Sequence, residues 1–256
     1  MKLRSTTWTS AVVAAAAGLT IGIAAPAAAQ SGDLSSGSGD LSSGSGSNDR
    51  CTNSVVFPFF NRGWAPDEDG RAPEFVFGPG GQPGLGSLDL TAPAGTIVNY
   101  FHDANDVQLD NVLGGDLAYD YDGTTTFQLR INGAVGGSNG FSSLVWEPLL
   151  NGGGGPNWAD ADSLKNGQWW STRDIGGLAS GQNVSPRPTA TLQEIAAANP
   201  DAYVTQYGVL LGGSGASPAA TGHADAIRFG CDRWNFEPGP FSASTGGSGG
   251  SSGSGN

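Results

Sequence analysis

The residues with the most chemical potential in this sequence are its tryptophans. Trp64, Trp146, Trp158, Trp169, Trp170 and Trp234 stand in a polar chain with 43 glycines in 256 residues. Trp64, Trp146 and Trp234 lie in or beside apolar runs and read as core. Trp169 and Trp170 are consecutive, and on a strand consecutive side chains point to opposite faces, so the two indoles cannot share one core. One of them is expected exposed or under a loop. With Trp158 and the polar Asp160, Asp162 and Asn166 nearby, an exposed indole would stack on a sugar ring. Loop packing is the competing reading.

Acidic residues form the second group. Asp103, Asn105, Asp106 and Asp110 cluster, and Asp116, Asp120 and Asp122 follow. Hard oxygens at short spacing suit Ca²⁺, which takes about six to eight of them. Asp103, Asp106, Asp110, Asp120 and Asp122 are therefore the candidate ligands of a structural calcium. Solvated turns are the alternative, because the twelve-residue pattern of an EF-hand is absent.

Catalysis has little to draw on. Gly136-Gly-Ser138-Asn-Gly140 satisfies G-x-S-x-G, but a nucleophile elbow needs a helix after the serine, and no helix-forming sequence follows. His102 and His223 are the only histidines. Glycoside hydrolysis needs two carboxyl groups roughly 5 to 9.5 Å apart; Glu68, Glu74, Glu147, Glu194 and Glu237 form no paired strand pattern, and Glu147 and Glu237 read as turn anchors. The sequence therefore indicates no catalytic residue. A glycan-active hydrolase is kept only as an alternative.

Cys51 and Cys231 are the only cysteines. In an oxidising compartment an even count favours pairing. A bridge would close nearly the whole domain into one loop, worth roughly 5 kcal/mol as an upper figure. Each cysteine adjoins a candidate strand, so the first and last strands are expected to be neighbours or to face one another. Metal-ligand and C-x-x-C spacings are missing.

The compartment follows from the start of the chain. Lys2 and Arg4 precede the apolar run 11–23, and Ala27-Ala28-Ala29 supplies small residues for a signal peptidase. Residues 1–29 read as a signal peptide, cleaved before Gln30, with no membrane span afterwards and a secreted product. Loss of Lys2 and Arg4 takes the formal charge from −12 to −14. So acidic a chain repels nucleic acid and anionic membrane surfaces. An extracellular polysaccharide remains as the candidate partner.

The elements that must position these residues are short. Residues 30–49 contain a tandem seven-residue repeat, Ser31–Gly37 and Ser38–Gly44, and Thr245–Asn256 is Gly and Ser apart from its two end residues; 30–49 and 241–256 are expected to be disordered. Between them, over 50–240, short apolar runs alternate with Gly, Pro, Asn and Asp. Thr126–Ile131 alternates cleanly, with Phe127, Leu129 and Ile131 on one face and Thr126, Gln128 and Arg130 on the other. Many short strands with frequent turns predict an all-β antiparallel sandwich. Thr191-Leu-Gln-Glu194 is a capping box ahead of Ile195–Ala198, stopped by Asn199-Pro200, and predicts one short α-helix.

Several motifs recur in a fixed order: Gly63-Trp64, Phe75-Val-Phe-Gly-Pro-Gly80, Gly84-x-Gly-Ser-Leu88, Leu144-Val-Trp-Glu-Pro148, Gly167-Gln-Trp-Trp170, Ala224-Asp-Ala-Ile227 and Trp234-Asn-Phe-Glu-Pro238. In this the chain resembles a group of secreted bacterial proteins, over most of 63–238. The resemblance implies a jelly-roll or laminin-G-like β-sandwich and export, and it supplies no activity. Cys231, just before the closing motif, departs from that pattern. The function expected is that of a secreted, non-catalytic surface or matrix protein binding polysaccharide; a purely structural exported protein without a ligand is the runner-up.

Overall fold

The computed structural model describes residues 51–78, 84–136, 139–155, 159–160, 164–213 and 217–239. Residues 1–29, expected as a signal peptide, the stretches 30–49 and 241–256 expected as linker and tail, and Trp158 lie outside the described residues. In chain order the elements are β1 (Asn53–Val56), β2 (Glu74–Phe77), β3 (Gly86–Asp89), β4 (Ile97–Gln108), α1 (Leu109–Val112), β5 (Asp116–Tyr121), β6 (Thr126–Asn132) and β7 (Ser142–Trp146). They continue with β8 (Ala159–Asp160), β9 (Gln168–Ser171), β10 (Ala190–Thr191), α2 (Leu192–Ala198), β11 (Tyr203–Gly212), β12 (His223–Gly230) and β13 (Asp232–Phe236).

Two sheets hold these strands. One runs β10-β9-β7-β6-β11-β4; the other runs β1-β13-β12-β3-β2, with β5 beside β12 and β8 beside β5. The fold is an all-β sandwich of largely antiparallel strands, as the alternation in the sequence predicts. One pair departs from that rule: β1 lies parallel to β13, Asn53 opposite Arg233 and Val56 opposite Phe236. The first and last strands are thus neighbours.

Alternation decides what enters the core. Phe127, Leu129 and Ile131 of β6 are completely buried, together with Tyr207 and Val209 of β11, Leu144 and Trp146 of β7, and Tyr119 of β5. Trp64 fills the opposite end, edge-on to Tyr207, Trp234 and Phe236. Trp64, Trp146 and Trp234 are core residues, as expected.

The predicted helix is α2. Thr191 accepts the Glu194 amide, and the Glu194 carboxylate accepts the Thr191 amide at 2.8 Å, which closes the capping box and holds the Glu194 carboxyl below its ordinary range. The structure corrects the expectation of a single helix: α1, one turn long, buries Leu109 and Val112. Among the described residues no helix is long and apolar enough to cross a membrane.

Candidate functional site

Trp169 and Trp170 do take opposite faces of β9, but neither is exposed. Trp169 is 0% exposed, faces inward, and donates from Nε1 to the Leu164 carbonyl at 2.6 Å. Trp170 faces outward yet is only 9% exposed. Of the two expected alternatives, an exposed indole or one under a loop, the structure shows the covered one, and the residues that cover it are not revealed by the local sequence. Trp170 Nε1 donates to Glu147 Oε1 at 3.0 Å, and the Arg187 guanidinium lies 4.6 Å from the indole centroid. Arg187 is held there by Glu147, through Nη1 at 2.6 and 2.8 Å, and donates from Nε to the Gly181 carbonyl. A Cβ on Gly181 would stand 3.0 Å from the indole, so a larger residue would push the ring and the covering loop apart by a few tenths of an ångström.

Strand register extends this arrangement across the sheet. Trp170 pairs with Val145, Val145 with Gln128, Gln128 with Gly208 and Gly208 with Phe101. These five residues form one row over β9, β7, β6, β11 and β4. Strands lie about 4.8 Å apart, so the row is about 19 Å long. It is the outer face: Phe101, Val145 and Trp170 are buried yet stand outside the inter-sheet core. A side chain at Gly208 would collide with the Tyr100 carbonyl and the Phe101 ring.

The far end repeats the pattern of the near end. Phe101 is 3% exposed, and the Arg130 guanidinium lies 4.0 Å above its ring. Arg130 donates to Asp67 at 2.6 Å and to Gln206 at 2.9 Å. The hydrogen bond from Arg130 holds the Asp67 carboxyl below its usual range, despite partial burial. Each end of the row therefore carries an aromatic ring, an arginine stacked on it, and a carboxylate fixing that arginine. Arg130 Nε is buried without a hydrogen-bond partner among the described residues.

Three hollows open on this face. One of about 320 Å³ is lined by Asp67, Glu68, Phe101, Asp103, Arg130 and Gln206. A second of about 260 Å³, mostly apolar, lies among Thr126, Glu147, Pro148, Leu149 and Leu210. A third of about 500 Å³ is bounded by Leu150, Gln168, Val184 and Arg187.

The candidate calcium ligands are not brought together. Asp103 and Asp106 are on β4 and Asp110 is in α1, all exposed; Asp120 and Asp122 belong to β5 and its exit, on the other sheet. Asp103 accepts the Asn105 amide at 2.7 Å, a local contact at the irregularity within β4. Asp122 accepts from His223 through the backbone amide at 2.6 Å and pairs with Nδ1 at 2.9 Å. Among the described residues no three His, Cys, Asp or Glu side chains are placed to hold a metal ion.

The structure brings Cys51 and Cys231 near one another and does not itself show the expected bond. Both cysteines are exposed and come near contact without being joined. They sit just outside β1 and β13, two strands that the ladder places side by side. The segment after Gly136–Gly140 is strand β7, not the helix that a nucleophile elbow requires.

Glu147, Arg187 and Asp67 are among the site residues that sequence reasoning missed, together with Phe101, Val145, Gly208 and Gln206. Glu147 reads locally as a turn anchor, and Arg187 is one basic residue between two prolines. Only the outward set Thr126, Gln128 and Arg130 was visible, as the polar half of an alternating strand. Comparison with family models, curated proteins and solved structures finds no match to this chain.

Proposed function

We propose that this protein is an exported, non-catalytic β-sandwich that binds an extended polysaccharide across the outer face of its six-stranded sheet. The observation that carries the reading is the row from Phe101 to Trp170, with a carboxylate-held arginine stacked on the ring at either end. Sugars are recognised by flat apolar surfaces together with planar, multiply hydrogen-bonding groups, and Arg, Asp, Glu and Gln are such groups. The row is long and flanked by several hollows, which suits a chain rather than a single sugar. The two carboxylates at the ends of the row, Asp67 and Glu147, are each engaged by arginine, and the Asp67 carboxyl is held below its usual range, which favours a binding role over acid catalysis for these two groups. Export rests on residues 1–29, and kinship with the secreted bacterial group rests on the motifs quoted above.

The test is retention of the secreted domain on a panel of insoluble and soluble polysaccharides, followed by titration with the best ligand. Gln128→Ala, at the centre of the row, is expected to weaken binding about tenfold, or 1.4 kcal/mol. Retention by no polysaccharide would defeat the reading. A second reading has one observation in its favour: both end rings are buried at 3% and 9% exposure, as they would be in a purely structural exported protein. It predicts no retention, and loss of stability as the sole effect of Gln128→Ala.

A further inference from the structure

The two cysteines occupy one place in the fold, on the sheet opposite the proposed glycan face. β1 is an edge strand of four residues whose ladder partner is β13. The parallel register from Asn53↔Arg233 onward continues outward: the Arg233 amide donates to the Thr52 carbonyl at 2.8 Å, and the Thr52 amide to Asp232 Oδ1 at 3.1 Å. One step further along the same register sets Cys51 against Cys231. Ser54, Val56, Trp234 and Phe236 are the buried positions of these strands. Cys51 and Cys231 lie just outside these strands, and both are exposed. They line one shared hollow of about 360 Å³ with Lys165 and Arg233, open to solvent. Neighbouring Cα atoms in a ladder are about 4.8 Å apart, within the roughly 4.4–6.8 Å that a disulfide spans.

We propose that Cys51 and Cys231 form a solvent-accessible, reversible disulfide that latches the edge strand β1 to β13. In the forward step one thiolate attacks the disulfide of an oxidised dithiol carrier, giving a mixed disulfide and releasing one carrier thiol. The second cysteine then attacks its partner's sulfur and releases the other carrier thiol. Two electrons and two protons pass to the carrier, and one S–S bond is exchanged for another. A reducing dithiol reverses the sequence. Exposure of both cysteines, rather than burial in the core, is what makes the bond readable by a soluble thiol. The latch acts on the segment that leads into the Phe57–Phe60 turn, so its state sets how firmly the start of the domain is held.

The experiment uses the full secreted chain. Free thiols are alkylated before and after reduction, and peptides are mapped without reductant. The chain is then equilibrated in dithiothreitol, and hydrogen exchange is followed at the Ser54–Val56 amides. The expected result is one intramolecular 51–231 link, opened without denaturant, with exchange at β1 about tenfold faster once it is open. The double variant Cys51→Ser with Cys231→Ser should exchange like the reduced chain under all conditions. Two thiols alkylated without reduction, a link between two chains, or β1 exchange unchanged by reduction would overturn the latch. Each of these outcomes leaves polysaccharide retention untouched, so the two proposals fail separately.

Discussion

Asp225 is completely buried at a bulge in β12, beside Ala226, whose φ of 48° is in the left-handed region. Its Oδ1 accepts the Phe236 amide at 2.8 Å, while Oδ2 has no hydrogen-bond partner among the described residues. Burial pushes this carboxyl up from 3.8 to about 8; the Phe236 and Ala226 amides oppose the shift, and the charges of Glu237 and Asp120 add to it. Between about pH 4 and pH 8 the unfolded chain has therefore released a proton that the folded chain keeps. Stability from this group is full below pH 4, falls as pH rises through the window, and is level above it. Each pH unit is worth about 1.4 kcal/mol, so the loss by pH 7 is on the order of 4 kcal/mol. Asp225→Asn keeps the size and the acceptor but never ionises. It is expected to be more stable than the parent by about 2–4 kcal/mol at pH 7, with the gain gone at pH 4. Urea denaturation of both proteins at pH 4, 6 and 8 and constant salt measures this. An equal difference at every pH, or a variant weaker than the parent at pH 8, would refute the reasoning and show that the native carboxyl is charged.

Trp169→Ala should cost about 3–5 kcal/mol, and Trp170→Ala nearly as much, about 2–4, because the outward indole is also covered. A negligible loss at Trp170 in chemical denaturation would mean that the Arg187 cover is open in solution. Thr191→Ala removes the cap of α2 and should cost about 1 kcal/mol by the same assay; no change would show that the capping box is idle. Chelation followed by millimolar Ca²⁺ should leave the melting temperature where it was, because the five aspartates are divided between two sheets. A rise of several degrees would reveal a native-state site that this division does not provide.

How much of this was legible beforehand depends on the range over which each feature is encoded. The capping box of α2 and the inward set Phe127, Leu129 and Ile131 could be read directly, because capping and alternation are properties of neighbouring residues. The opposite facing of Trp169 and Trp170 belongs to the same class. Local reading failed where cover or company comes from far along the chain. Glu147 and Arg187 are forty residues apart and meet over Trp170, so neither announces a role in its own segment. The aspartates are close in sequence and part in space, because α1 lies between β4 and β5 and the two strands belong to different sheets.

The chain by itself therefore determined the class of fold, the short strands, the one capped helix and the composition of the outward face, since side-chain period and backbone capping need no distant partner. Tertiary structure alone decided that Phe101, Gly208, Gln128, Val145 and Trp170 form one row and that each terminal ring carries an arginine. That row exists only through the register of five strands from separate parts of the chain. A shift of one residue in any pairing would turn its members to the other face.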